Sequence, residues 1–218
     1  MRFLSSYGTW MICCLSFEYM HPPAVESRLS PAGSGHEPLF AGYVGPGMAT
    51  ASVAGNIFTS RPPGPIFETA KAVNGEAGVL FLYGSSAGDL LSFNLASEML
   101  SEIRIENASI RVTADVSSAP PTEMRERRGI AGGFFVIRTA GAAAEEGCSL
   151  AEVAELASRA NAMTRSIGIA LSSCAIPASG RPIFQLNSSE IEIGMRIHRE
   201  PGERRSIVMP ADQLAAIL

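Results

Sequence analysis

The chain has 218 residues, of which 46% are hydrophobic and 17% charged, with a formal net charge of -4. That length accommodates one sizeable core, and that apolar content excludes a disordered chain. The mildly acidic balance leaves no basic face for phosphates, which argues against a nucleic-acid partner.

In chain order, the opening run MRFLSSYGTWMICCLSF carries one arginine followed by a moderately apolar stretch. Ser, Gly and Thr interrupt it and no Ala-x-Ala site follows, so it fits a cleaved leader poorly, although export is the rival reading. It is also too short and too broken for a spanning helix. HPPAVESRLSPAGSG (21–35) reads as loop. Residues 1–30 are therefore expected to form a poorly defined N-terminal segment, and 31–218 the domain. Cys13, Cys14, Cys148 and Cys174 show neither a CxxC pair nor zinc-site spacing, which predicts reduced thiols in a cytoplasmic protein.

From Gly33 onward, glycine-rich turns alternate with apolar runs and helical stretches, the texture of an α/β protein. GVLFLY (78–83) is a continuous apolar run of strand length, followed by the turn GSSAGD (84–89). LLSFNLASEMLSE (90–102) has helical spacing, with Leu91, Leu95, Met99 and Ile103 on one face. ASIRVTADV (108–116) alternates as a strand does. The segment 126–147 opens with a basic turn and continues into GGFFVIRTAGAAAEE, an Ala-rich buried helix. Residues 149–171 read as a helix, with Ser149 and Glu152 as a capping box and Leu150, Val153, Ala154, Leu156 and Ala157 as its core stripe. PIFQLNSSEIEIGMRIH (182–198) reads as strand, turn and alternating strand, which turns His198 away from the aliphatic face. No internal repeat is evident.

Three residues fall where α/β proteins place ligands. Asp89 sits between a strand end and a helix start, where a helix cap and a site carboxylate are both good readings. His36 follows Gly33, Ser34 and Gly35, small residues that let backbone N–H groups approach a ligand. His198 ends a strand ahead of a Glu-Pro-Gly turn. Two imidazoles and a carboxylate gathered at one edge could hold a small polar ligand and move protons. They lack the close spacing of a metal site, so no metal is expected. AGSGHE is neither a Walker A loop nor GxGxxG, so no nucleotide is expected on this chain.

Four motifs, in order, resemble the substrate-binding domain of the dihydroxyacetone kinase family. GSGHEPLFAGYVGPGM (33–48) is similar to that family's Gly-Gly-Ser-Gly-His-Glu-Pro signature, and AGDLLSFNLASE (87–98) to its Gly-Asp segment. RRGIAGG (127–133) and EIGMRIHREPG (192–202) resemble its Arg-Arg-Gly turn and its Ile-His-Gly-Glu-Pro-Gly motif. The resemblance implies a layered αβα domain around a largely parallel or mixed sheet. It implies the substrate-binding subunit of a kinase for dihydroxyacetone or a related short ketose. His198 would capture the ketone as a covalent hemiaminal, Asp89 would take the proton of the terminal hydroxyl and His36 would assist. Gly33, Ser34 and Gly35 would supply backbone contacts. ATP or ADP and magnesium would sit on a separate nucleotide-binding subunit, and the chain could form a homodimer; no membrane contact is implied.

The chain departs from the family pattern at particular positions. Gly84, Ser85, Ser86 and Ala87 stand where the family has Lys-Asn-Tyr-Thr, so its substrate-contacting lysine is missing. Ala32 replaces the first glycine of the turn, and Arg199 replaces the glycine after the nucleophile. The family's opening elements are expected to be missing or replaced before residue 30 and its second subdomain to be missing, as in a chain truncated at both ends. The alternative expectation is a non-catalytic ketose-binding regulator or an inactive paralogue.

Overall fold

The computed structural model describes residues 11–16, 41–54, 60–173, 182, 184–195, 202 and 204–216. Its elements begin with β1 (Met11–Ser16), β2 (Ala51–Ala54), α1 (Pro63–Val73), β3 (Val79–Gly84), α2 (Ala87–Glu102) and β4 (Asn107–Val112). They continue with α3 (Gly133–Glu145), α4 (Leu150–Met163), β5 (Ile169–Ala170), β6 (Glu190–Ile193), β7 (Arg204–Ile207) and α5 (Ala211–Ala215).

The apolar run of β3 organises the core. A strand alternates its side chains between two faces, and β3 is buried on both, which is why it reads as a run and not as an alternation. Val79, Phe81 and Tyr83 pack with Ile66 and Ala70 of α1 and with Phe93, Ala96 and Leu100 of α2. Leu80 and Leu82 point the other way, onto Val136, Ile137 and Ala140 of α3 and Leu150, Val153 and Ala157 of α4. Two helices on each side of one sheet make the αβα layering. The sheet order is β2-β1-β3-β4; β1 is antiparallel to both neighbours, and β3 and β4 are parallel. The sheet is thus mixed. β1 comes from within residues 1–30, which the sequence left without an element.

A second sheet, β5-β6-β7, is antiparallel throughout. It is tied to the carboxyl end of β4. Ser166 exchanges backbone hydrogen bonds with that end, its N–H donating to Ala114 O at 2.9 Å and its carbonyl accepting from Val116 N–H at 3.0 Å. The Ser117 hydroxyl donates to Gly194 O at 3.3 Å, just past β6.

Five details differ from the sequence expectations. The face of α2 that meets the core is Asp89, Phe93, Ala96 and Leu100, while Leu91 is 72% exposed; α2 carries apolar residues on two sides, and β3 selects the aromatic one. The helix after Ser149 ends at Met163 and not at Leu171. Thr164 leaves helical geometry there, and Ile169 and Ala170 pair with β6 instead. The strand expected over 108–116 closes at Val112. Residues 184–189, where the sequence predicts the end of a strand begun at 182 and a turn, run as loop and turn into β6. In α3, Phe135 is exposed although Val136 and Ile137 are buried.

Candidate functional site

Asp89 is set by the join between β3 and α2. The strand ends at Gly84, and Ser86 caps the helix, its hydroxyl accepting from Asp89 N–H at 3.2 Å. The cap is therefore Ser86. Asp89 lies in the first helical turn, free to use its carboxylate, and a negative charge there is favoured by the helix N-terminus. The residue is nevertheless only 5% exposed, so its carboxylate needs a partner.

Among the described residues that partner is Arg61, which precedes α1 and is 2% exposed. Its Nη1 lies 3.7 Å from Asp89 Oδ1. Burial lowers the guanidinium to about 10, with Asp89 opposing the shift, so it stays charged at neutral pH. Among the described residues, its Nε and Nη2 are buried without a hydrogen-bond acceptor. Ser60, the residue before it, packs on the start of α2: its hydroxyl is 3.5 Å from that of Ser86. A Cβ at Gly88 would lie 2.7 Å from Ser60 Cβ. Gly88 thus lets the segment before α1 reach the Asp89 turn. Beneath this turn Tyr83 stacks on Phe93 with centroids 4.2 Å apart, and burial raises the Tyr83 phenol, keeping it neutral. Arg61 was missed by sequence reasoning; a single arginine ahead of two prolines carries no periodic or motif signal.

The other motifs serve mainly to shape and anchor. In GYVGPGM the loop closes on itself, with Gly45 N–H donating to Ala49 O and Ala49 N–H to Tyr43 O, each at 2.9 Å. Arg138 of α3 holds it, Nη1 donating to Gly47 O at 2.7 Å. In RRGIAGG, Arg127 is buried and its Nε donates to Ala119 O at 2.8 Å. A Cβ at Gly129 would lie 2.8 Å from Val112 O, so this turn crosses directly over the end of β4. In EIGMRIHREPG, Gly194 N–H donates to Gly168 O at 2.8 Å, and Gly202 N–H donates to Glu192 Oε1 at 2.7 Å. Arg205 Nε approaches the other oxygen of Glu192 at 3.7 Å.

Gly33, Ser34, Gly35, His36, His198 and Arg199 lie outside the described residues. The structure thus places Asp89 alone among the expected site residues, together with both anchors of the segment that bears His198. Gly84 and Val112 are register partners at the carboxyl ends of the parallel pair β3 and β4. Asp89 follows the first strand, and the Gly194 anchor is tied to the segment that follows the second. Among the described residues no group of three His, Cys, Asp or Glu side chains could hold a metal, and no helix is long and apolar enough to cross a membrane.

Comparison with known proteins bears on the family and the fold. The Dak1 domain family model matches residues 27–218. A dihydroxyacetone-binding subunit, DhaK, of a PTS-dependent dihydroxyacetone kinase from Listeria innocua is 45% identical, over 84% of this chain and 54% of the relative. An L-erythrulose kinase from Pectobacterium atrosepticum is 44% identical, over 85% of this chain and 32% of the relative. The dihydroxyacetone kinase of C. freundii superposes with a TM-score of 0.75 at 35% identity, over 85% of this chain and 34% of that one. A dihydroxyacetone kinase operon co-activator, DhaQ, gives the same TM-score at 30% identity, over 85% of this chain and 57% of that one. The chain spans about half or less of the length of these relatives.

Proposed function

This chain belongs to the Dak1 domain family, and from that premise we propose that it is the ketose-binding part of a kinase for dihydroxyacetone or a related short ketose. The observation that carries the reading is the buried Asp89 carboxylate, past the carboxyl end of β3, with Gly194 tied to the residues that follow the carboxyl end of the neighbouring β4. Ligands of open α/β sheets bind at that end.

In this reading a neutral His198 nitrogen adds to the carbonyl carbon of the ketose. A C–N bond forms, the C=O π pair moves to oxygen, that oxygen takes up a proton, and the imidazolium gives one up. The product is a neutral hemiaminal with no loss of water. Glycerol has no carbonyl and is excluded. Tethering fixes the remaining hydroxyl, which supplies the proximity that phosphoryl transfer needs. Asp89 accepts that hydroxyl's proton, His36 assists, and Gly33, Ser34 and Gly35 offer backbone N–H groups. Nucleotide and magnesium belong to a partner subunit in the cytoplasm, and the chain itself binds neither nucleic acid nor membrane. A homodimer is compatible with this reading.

A second reading, a ketose-binding regulator without turnover, is favoured by the likeness to the co-activator and by Gly84 at the lysine position. Phosphorylation of dihydroxyacetone in the presence of a relative's nucleotide-binding subunit separates the two. Turnover that Asp89→Asn abolishes is expected for the kinase. Ketose binding without turnover supports the regulator, and turnover unchanged in Asp89→Asn removes Asp89 as the base.

A further inference from the structure

Among the described residues the larger sheet ends at β4, and an edge strand leaves backbone donors and acceptors open to other chain segments. Asn161 of α4 closes the carboxyl end of that row. Its Oδ1 accepts from Thr113 N–H at 2.9 Å. Its Nδ2 donates to Arg111 O at 2.8 Å and to Thr113 Oγ1 at 3.1 Å. Both amide hydrogens of Asn161 are thereby used, and the place of a further strand is taken here. Beside Asn161 lies an open cavity of about 280 Å³. Ser109, Arg111 and Thr113 line it from the β4 segment, Ser158 from α4, and Arg125 from the short helix Pro121–Glu126. Its volume falls just below the roughly 300–1,000 Å³ of clefts that hold drug-sized ligands, which fits a smaller one. Arg111 is half-buried and Arg125 exposed. Among the described residues no carboxylate lines the cavity, and neither arginine forms an ion pair. In a chain of net charge -4 this is a local excess of positive charge, and a half-buried cation is stabilised by a counter-ion. Thr113 Oγ1 accepts from Asn161, which leaves its own hydrogen to donate, as the Ser158 hydroxyl can. Two guanidinium groups and two hydroxyl donors complement a small oxyanion.

We propose that this cavity on the β4 edge binds a phosphate group, free or carried by a small sugar, through Arg111, Arg125 and the Thr113 and Ser158 hydroxyls. The donors gather in one cavity and not along a face, which suits a single small anion and not a nucleic-acid backbone. Every residue of the site is described, and none belongs to the ketose site, so the inference stands apart from that reading.

The test is calorimetric titration of the full chain, at low ionic strength, with inorganic phosphate and with glycerol 3-phosphate. Glycerol 3-phosphate has no carbonyl, so covalent capture by a histidine adds nothing to its heat. The titrations are run on the wild type, Arg111→Gln and Arg125→Gln, with thermal unfolding of each as the check on folding. The wild type is expected to show saturable binding that weakens as sodium chloride is added. Each substitution is expected to weaken it about tenfold or more, the order for losing a hydrogen bond between charged groups. Tighter binding of glycerol 3-phosphate supports a sugar phosphate as the occupant, and equal or tighter binding of inorganic phosphate supports the free ion. Arg125 is exposed, so its replacement leaves the core untouched and decides the matter even where Arg111→Gln does not fold. No saturable binding of either probe by the wild type at about 10 mM, or an affinity unchanged in Arg125→Gln, overturns the proposal and leaves the ketose reading as it was.

Discussion

Replacing Asp89 by asparagine removes one charge from a buried pair and leaves the other. At 3.7 Å and an effective dielectric of about 20, the attraction is roughly 4–5 kcal/mol before desolvation is counted. Breaking a buried pair from one side typically costs about 3–5 kcal/mol, because the remaining charge is stranded. The asparagine carbonyl still faces Arg61 and recovers part of this. The expected loss of stability is therefore about 2–4 kcal/mol, which for a domain of this size lowers Tm by roughly 4–16 °C. Arg61→Met in the same chain removes the stranded cation, so the double variant should be more stable than the two single losses summed, by at least about 1.5 kcal/mol. Urea denaturation of the four proteins measures the cycle. An Asp89→Asn variant within about 0.5 kcal/mol of wild type, or strict additivity, would refute the description of Arg61 and Asp89 as a coupled buried pair.

Other predictions follow from the same packing. Gly88→Ala should destabilise the chain by about 1–3 kcal/mol through the clash with Ser60, and Ser60→Gly should recover most of the loss in chemical denaturation. Phe93→Ala removes a ring stacked on Tyr83 and edge-on to Phe81, and denaturation should show a loss of about 3–5 kcal/mol. The Ser149 hydroxyl and N–H hold the Glu152 carboxyl below its ordinary 4.5. Because the folded value is the lower one, the capping box stabilises above that ordinary range, and the contribution is lost as pH falls through the folded value. Carbon-detected NMR titration should place the Glu152 midpoint below 4.5, and Ser149→Ala should move it upward; an unmoved midpoint would contradict the box.

The parts of the fold legible in the sequence are those whose cause is local. The strand β3 announces itself because burial on both faces demands an unbroken apolar run. The start of α4 does so because Ser149 and Glu152 satisfy backbone donors three residues apart. What was misread depends on distant partners. Leu91, Leu95 and Ile103 look like a core stripe until Tyr83 and Phe81 select Phe93 on another face. Residues 169 and 170 look helical until β6, more than twenty residues later, pairs with them. Met11–Ser16 looks like a broken leader until β3 supplies its ladder. The place of Asp89, between the end of β3 and the first turn of α2, was legible because strand ends and helix starts are readable. Arg61 was invisible because its meaning comes entirely from a carboxylate on another element.

The capture of a ketone by His198 is the claim on which the functional account stands, and the mass of the intact folded chain with sugar tests it directly. With dihydroxyacetone the account predicts an adduct of the full mass of the ketose, without loss of water, absent with glycerol and absent in His198→Ala. A folded chain that shows no adduct, or an adduct that persists in His198→Ala, would contradict it.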